Sequence, residues 1–118
     1  MKTVVLAAIA SLLCIGTVRA DCVYPKAPDP IPNGKTASKD EMVAAMNLFK
    51  QYNADLGSYT ECLETETAEK IRDGSMPAAS IMQFKQMQAR KHNSAVQEVK
   101  EKAEAFNDQV RIFKSRST

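Results

Sequence analysis

The chain has no tryptophan, one histidine, four glycines and only 6% aromatic residues among its 118. A scarcity of large rings excludes a big aromatic core. Few glycines leave no room for a glycine-rich phosphate loop or a dinucleotide fingerprint, and no nucleophile motif is present. The lone histidine, His92, has no second histidine or cysteine beside it, so neither a zinc set nor a catalytic pair can be written from spacing. Its place on an apolar stripe reads as a packed or rim histidine. Glu61, Glu64, Glu66 and Glu69 form an acidic run, but without a turn to converge them on a hard cation they read as a solvated helix face. Met76, Met82 and Met87 read as pliable filler, since no tight thioether pair occurs. The expectation is a protein that is not an enzyme and holds no metal or cofactor.

Long apolar runs are also missing, with one exception at the N-terminus. Lys2 precedes an apolar stretch from Val4 to Ile15, broken by Ser11 alone, and Val18-Arg19-Ala20 places small residues at the −3 and −1 positions. These are the three parts of a secretory signal, with cleavage expected between Ala20 and Asp21. The run is shorter than the ~20 residues that a membrane span needs. Leu13 before Cys14 and Asp21 before Cys22 do not suit lipidation. Residues 1–20 are therefore read as a cleaved signal peptide. The mature chain is expected to be exported, periplasmic or otherwise secreted, with no integral membrane anchor.

Cleavage changes two balances. Lys2 and Arg19 leave, so 14 bases face 14 acids in residues 21–118 and the net charge falls from +2 to zero. A basic excess of the kind that binds phosphate backbones is absent, which excludes a general nucleic-acid footprint. Cys14 leaves too, and Cys22 and Cys62 remain; two cysteines in an oxidising compartment are expected to pair.

The mature chain divides by proline. Pro25, Pro28, Pro30 and Pro32 fall within eight positions and Asn33-Gly34 follows. Proline fixes φ and removes donors, so residues 21–37 should be an extended strap ending in a turn. Ser38-Lys39-Asp40-Glu41 is a capping box that opens a helix over about 38–73. Met42, Met46, Phe49, Asn53, Leu56, Thr60, Leu63 and Thr67 step by four and three, a coiled-coil-like seam. Asp73-Gly74 stops it. Gly57 lies inside at a cost of about 1 kcal/mol relative to alanine, and suggests a close approach or a slight bend. A second helix is expected over about 77–114, with Pro77 in its first turn. Its seam is Ile81, Phe84, Gln88, His92, Ala95, Val99, Ala103, Phe106, Val110 and Phe113. The short break between the two makes them antiparallel neighbours. The fold class is all-α: an antiparallel two-helix hairpin, 38–118, with an extended N-terminal cover.

Charge fits this pairing. Residues 38–74 hold eight acids and four bases, and residues 75–118 hold eight bases and four acids. Antiparallel helices at −4 and +4 can complement each other, setting register more than stability. The strap has the reach to join them. Ser38 to Cys62 is roughly 36 Å of helix, and the 16 residues back to Cys22 can extend up to about 50 Å. Ala45, Tyr52 and Tyr59 recur every seven residues beside the seam, three before Cys62 in the case of Tyr59. They form the expected docking face for the strap, running antiparallel to the helix with Tyr24, Ile31 and the prolines on the tyrosine rings. The other reading makes Tyr52 and Tyr59 a ligand or self-association face.

Cys22-Val23-Tyr24-Pro25, Ile31-Pro32-Asn33-Gly34 and Ala37-Ser38-Lys39-Asp40-Glu41-Met42 together resemble the start of a group of small exported proteobacterial proteins. Tyr59-Thr60-Glu61-Cys62-Leu63-Glu64 and Phe106-Asn107-Asp108-Gln109-Val110-Arg111 are similar to two later hallmarks. The resemblance spans nearly the whole mature chain and implies a periplasmic helical protein of a family of unassigned function. With an empty catalytic checklist, the expected role is binding or structure: contact with another envelope protein or with itself. The alternative is a small enzyme or metal-binding carrier using His92 and nearby carboxylates.

Overall fold

The computed structural model describes residues 21–116; the signal-peptide reading of residues 1–20 falls outside them. Two helices pack against each other, α1 (Lys39–Arg72) and α2 (Ala78–Arg116), and no strand occurs among the described residues. The molecule is an all-α hairpin covered on one side by residues 21–37.

Local chemistry sets the ends. The Ser38 hydroxyl accepts from the Glu41 amide at 3.1 Å, and the Glu41 carboxylate accepts from the Ser38 amide at 2.6 Å, closing the capping box. These bonds to the charged form hold the Glu41 carboxyl below its ordinary range. At the other end Gly74 takes φ 71° and its amide donates to Ile71 O, the left-handed stop that glycine adopts without a Cβ penalty. Pro77 stands just before α2 rather than inside its first turn, and its carbonyl accepts from the Ile81 amide at 3.0 Å.

The core follows the three-four spacing. Near the open end, Ala37, Met42, Ala45 and Phe106 form a buried cluster with Ile31, Phe49, Val110 and Phe113 against it. Near the loop end, Tyr59, Leu63 and Ala95 form another with Cys22 and Leu56. Phe49 stacks on Phe106 with centroids 4.7 Å apart, and meets Tyr52 edge-on at 6.2 Å, so ring packing extends the first cluster to Tyr52. All ten seam positions read on α2 are buried or half-buried.

On α1 the seam shifts. Met46 is 41% exposed and Asn53 is exposed, whereas Ala45, Tyr52 and Tyr59 are buried, Tyr52 to 2%. Both columns flank the shared row Met42, Phe49, Leu56 and Leu63. The strap lies on the Tyr52 side, so that flank is sealed and the Met46 flank stays open. Gly57 is a second correction: a Cβ there would have nothing within 4 Å, so no close approach inside the chain uses it. The interhelical charge pairing is a third. Among the described residues the ion pair present is Arg111–Asp108, within α2. Glu66 of α1 accepts from Gln88 and Arg116 of α2 donates to the Gly34 and Ala37 carbonyls instead.

Candidate functional site

The strap joins the hairpin at four places in chain order. Cys22 and Cys62 form a disulfide with Cα atoms 5.6 Å apart. Two residues on, the Tyr24 ring meets the Tyr59 ring edge-on at 5.3 Å, and its hydroxyl donates to Glu98 Oε2 at 2.8 Å. Ile31 then packs on the Met42 and Ala45 cluster. Finally Gly34 seats against α2: its amide donates to Gln109 Oε1 at 2.8 Å, and a Cβ would overlap the Gln109 carbonyl oxygen and stand 3.0 Å from Ile112 Cβ. Glycine is required there for close approach to a helix backbone, not for a positive φ. The strap thus runs antiparallel to α1 but touches both helices, α1 at Cys62 and Tyr59 and α2 at Glu98 and Gln109. Ile31 packs beyond the tyrosines, toward the open end.

The turn after the strap is held from below. Asn33 O accepts from the Thr36 and Ala37 amides at 3.1 and 2.8 Å, and Asn33 Oδ1 accepts from Lys35. Arg116, in the last turn of α2, donates to Gly34 O and Ala37 O at 2.9 and 3.0 Å while its guanidinium lies 5.0 Å from the Phe113 ring centroid. Burial raises the pKa of Tyr24, Tyr52 and Tyr59 above the ordinary value. The Glu98 carboxylate adds to this at Tyr24, as an acceptor from its hydroxyl, and at Tyr52 through its charge; Glu66 does so at Tyr59. Tyr52 Oη is buried without a hydrogen-bond partner.

The opposite side has no cover. A groove of about 470 Å³ opens there between Leu63, Thr67 and Ile71 of α1 and Gln88, Ala89 and His92 of α2. A further hollow of about 370 Å³, lined by Met82 and Lys85, adjoins it at Ala89. The floor is polar at one point: Gln88 Nε2 donates to Glu66 Oε2 at 2.8 Å and to Leu63 O at 3.3 Å, and its Oε1 is buried and unpartnered. His92 and Glu64 share the rim. No group of three histidines, cysteines or carboxylates able to hold a metal occurs among the described residues. The groove can bind an apolar surface; the Thr60 and Thr67 hydroxyls that share its lining with His92 donate to the carbonyls of Gly57 and Leu63.

Of the two tyrosines singled out from sequence, Tyr59 meets the strap through the Tyr24 ring, and Tyr52 is buried with its ring against Phe49. Thr60, Leu63, Thr67, Gln88 and His92, which read as seam, line the open groove instead. Glu98, Gln109 and Arg116 escaped a reading by periodicity, because each acts through one long-range hydrogen bond or bond pair. No helix among the described residues is long and apolar enough to cross a membrane. No family model, curated protein or solved structure matches the chain.

Proposed function

We propose that the mature chain is an exported protein of the cell envelope, periplasmic or otherwise secreted, that works by surface contact rather than by catalysis. The observation that carries this reading is the asymmetry of the hairpin. One face carries a covalently tethered strap, with a hollow of about 470 Å³ where Ile31 and Lys35 meet Gln109 of α2; the other keeps an apolar groove of about 470 Å³ open to solvent with no strap over it. A two-helix core is thin, and apolar surface left uncovered on so small a domain marks a place where something docks. The signal-like N-terminus and the disulfide support an oxidising compartment. The resemblance to small exported proteobacterial proteins supports the same address.

Two measurements test this. The intact mass of the exported protein should correspond to a chain starting at Asp21; a mass including residues 1–20 would remove the export reading. A photo-reactive side chain at Ala89 or Thr67, on the groove, should give discrete adducts in native envelopes that excess unlabelled protein competes away. The same group at Lys26, on the outside of the strap, should not. Equal labelling from both faces, or none from the groove, would remove the contact-face reading.

A further inference from the structure

Asn33-Gly34 is the one asparagine–glycine pair in the chain. Such a pair can close a ring on itself. The glycine nitrogen attacks the side-chain carbonyl carbon of the asparagine, and glycine has no side chain to obstruct the approach. Asn33 is exposed, while Gly34 beside it is buried. The docked strap holds every group that ring closure has to move. The Gly34 amide donates to Gln109 Oε1 at 2.8 Å, and Arg116 donates to Gly34 O at 2.9 Å. Asn33 O accepts from the Thr36 and Ala37 amides, and Asn33 Oδ1 accepts from the Lys35 amide. Closing the ring removes the proton that Gly34 gives to Gln109 and turns the Asn33–Gly34 peptide plane. These bonds must therefore break first, which is a local opening of the strap.

We propose that Asn33-Gly34 is a self-modification site gated by the strap, unreactive while Gly34 sits on α2 and converted to aspartyl and isoaspartyl forms once the strap lifts. The Gly34 nitrogen loses its proton and bonds to Asn33 Cγ. The bond from Cγ to the side-chain nitrogen breaks, and that nitrogen leaves as ammonia with the proton. Water then opens the cyclic imide at one of its two carbonyls. Opening at Cγ restores the ordinary main chain with an aspartate. Opening at the former main-chain carbonyl routes the chain through Cβ and Cγ, as isoaspartate. Either way one water enters and one ammonia leaves. The isoaspartyl product makes release one-way. The carbonyl that held the Thr36 and Ala37 amides is now a carboxylate off the main chain, and one more carbon precedes Gly34. That residue has no slack in its seat, since even a Cβ would overlap the Gln109 carbonyl oxygen. The aspartyl product keeps the backbone and reseats.

The oxidised protein, incubated at mildly alkaline pH and digested with trypsin, tests this through the mass of peptide 27–35, which gains the difference between OH and NH2. The urea-unfolded chain sets the unprotected rate. The folded protein should react at least about tenfold more slowly, because reaction needs the open form. Gln109→Ala frees the Gly34 amide and should raise the folded rate about fivefold, the share of one net hydrogen bond in the opening equilibrium. Arg116→Ala should act in the same direction, and both variants should keep a helical circular dichroism spectrum. Asn47, Asn53, Asn93 and Asn107 lie inside the helices and are controls in the same digest. The isoaspartyl form, separated by chromatography, should melt below the wild type, whereas Asn33→Asp should melt with it. A folded rate equal to that in urea overturns the gating, as do Gln109→Ala and Arg116→Ala proteins that react no faster than the wild type. An isoaspartyl form as stable as the wild type overturns the one-way release.

Discussion

Gly34→Ala is the sharpest probe of how the strap is held, because the usual effect of such a change runs the other way. At a compatible site Gly→Ala stabilises by about 0.4–1 kcal/mol through the unfolded chain. At Gly34 the new methyl would overlap the Gln109 carbonyl oxygen, which belongs to the backbone of α2 and cannot rotate away. The strap must lift instead. Lifting it endangers the Gly34–Gln109 bond at 2.8 Å and the two bonds from Arg116 at 2.9 and 3.0 Å. Each contributes about 1 kcal/mol net, and overpacking of a filled site costs about 1–3 kcal/mol. Shared between these routes, the loss should be about 3 kcal/mol. For a domain of this size that lowers the melting temperature by about 15 °C. Thermal and urea denaturation of the oxidised protein would read it. A Gly34→Ala protein as stable as the wild type, or more so, would mean that Gly34 does not rest on α2.

Other expectations follow from the same interface. Tyr59→Ala removes the ring that Tyr24 packs on and should cost about 3 kcal/mol by chemical denaturation, as for a largely buried aromatic; a loss under 1 kcal/mol would mean the ring is not covered. Tyr52→Phe deletes a buried hydroxyl with no partner and should leave stability unchanged or raise it by about 1 kcal/mol; a marked loss would show that the hydroxyl is bonded in solution. The three tyrosines are Tyr24, Tyr52 and Tyr59, and all have pKa values raised above the ordinary 10.0. A raised folded-state value means a stability contribution fully present below pH ~10 and lost as pH rises through the folded values. Tyrosinate absorbance near 295 nm, free of tryptophan, should therefore titrate above 10 in the native protein and near 10 in urea. Coincident curves would contradict the raised values at Tyr24, Tyr52 and Tyr59.

How much of this could be read from the sequence depends on the kind of interaction. Ser38 with Glu41 and Asp73 with Gly74 are local signals, and they bound α1 to within a residue. The α2 stripe from Ile81 to Phe113 is a periodic signal, and every member is buried or half-buried. Periodicity could not choose between the two flanks of α1, because Met46–Asn53 and Ala45–Tyr52–Tyr59 border the same central row at equal angles. The strap decides, and Cys62, three residues after Tyr59, stands on the flank that it seals. Gly34 was legible as a turn glycine, but its close approach to Gln109 spans 75 residues and leaves no trace in any repeat. Arg116 is similar, reaching Gly34 and Ala37 from the far end of the chain. Opposite helix charges suggested pairing inside the hairpin, but exposed long side chains lose entropy on pairing and gain little in water. The groove around Ala89 was hidden for a related reason: spacing marks which residues turn inward, not whether anything lies over them.

The central claim is that the tethered strap closes one face of the hairpin and leaves the other for contact. The disulfide closes a sequence separation of 40 residues, a constraint of about 4 kcal/mol on the chain-entropy account. The strap's other contacts are few, so its release should precede melting of the helices. Limited trypsin digestion at Lys26 and Lys35, both exposed, measures this directly, with and without reductant. The account predicts slow cleavage in the oxidised protein. After reduction it predicts rapid cleavage at both sites while Lys50 in α1 stays protected. Equal rates at Lys26 and Lys35 in both states would contradict it.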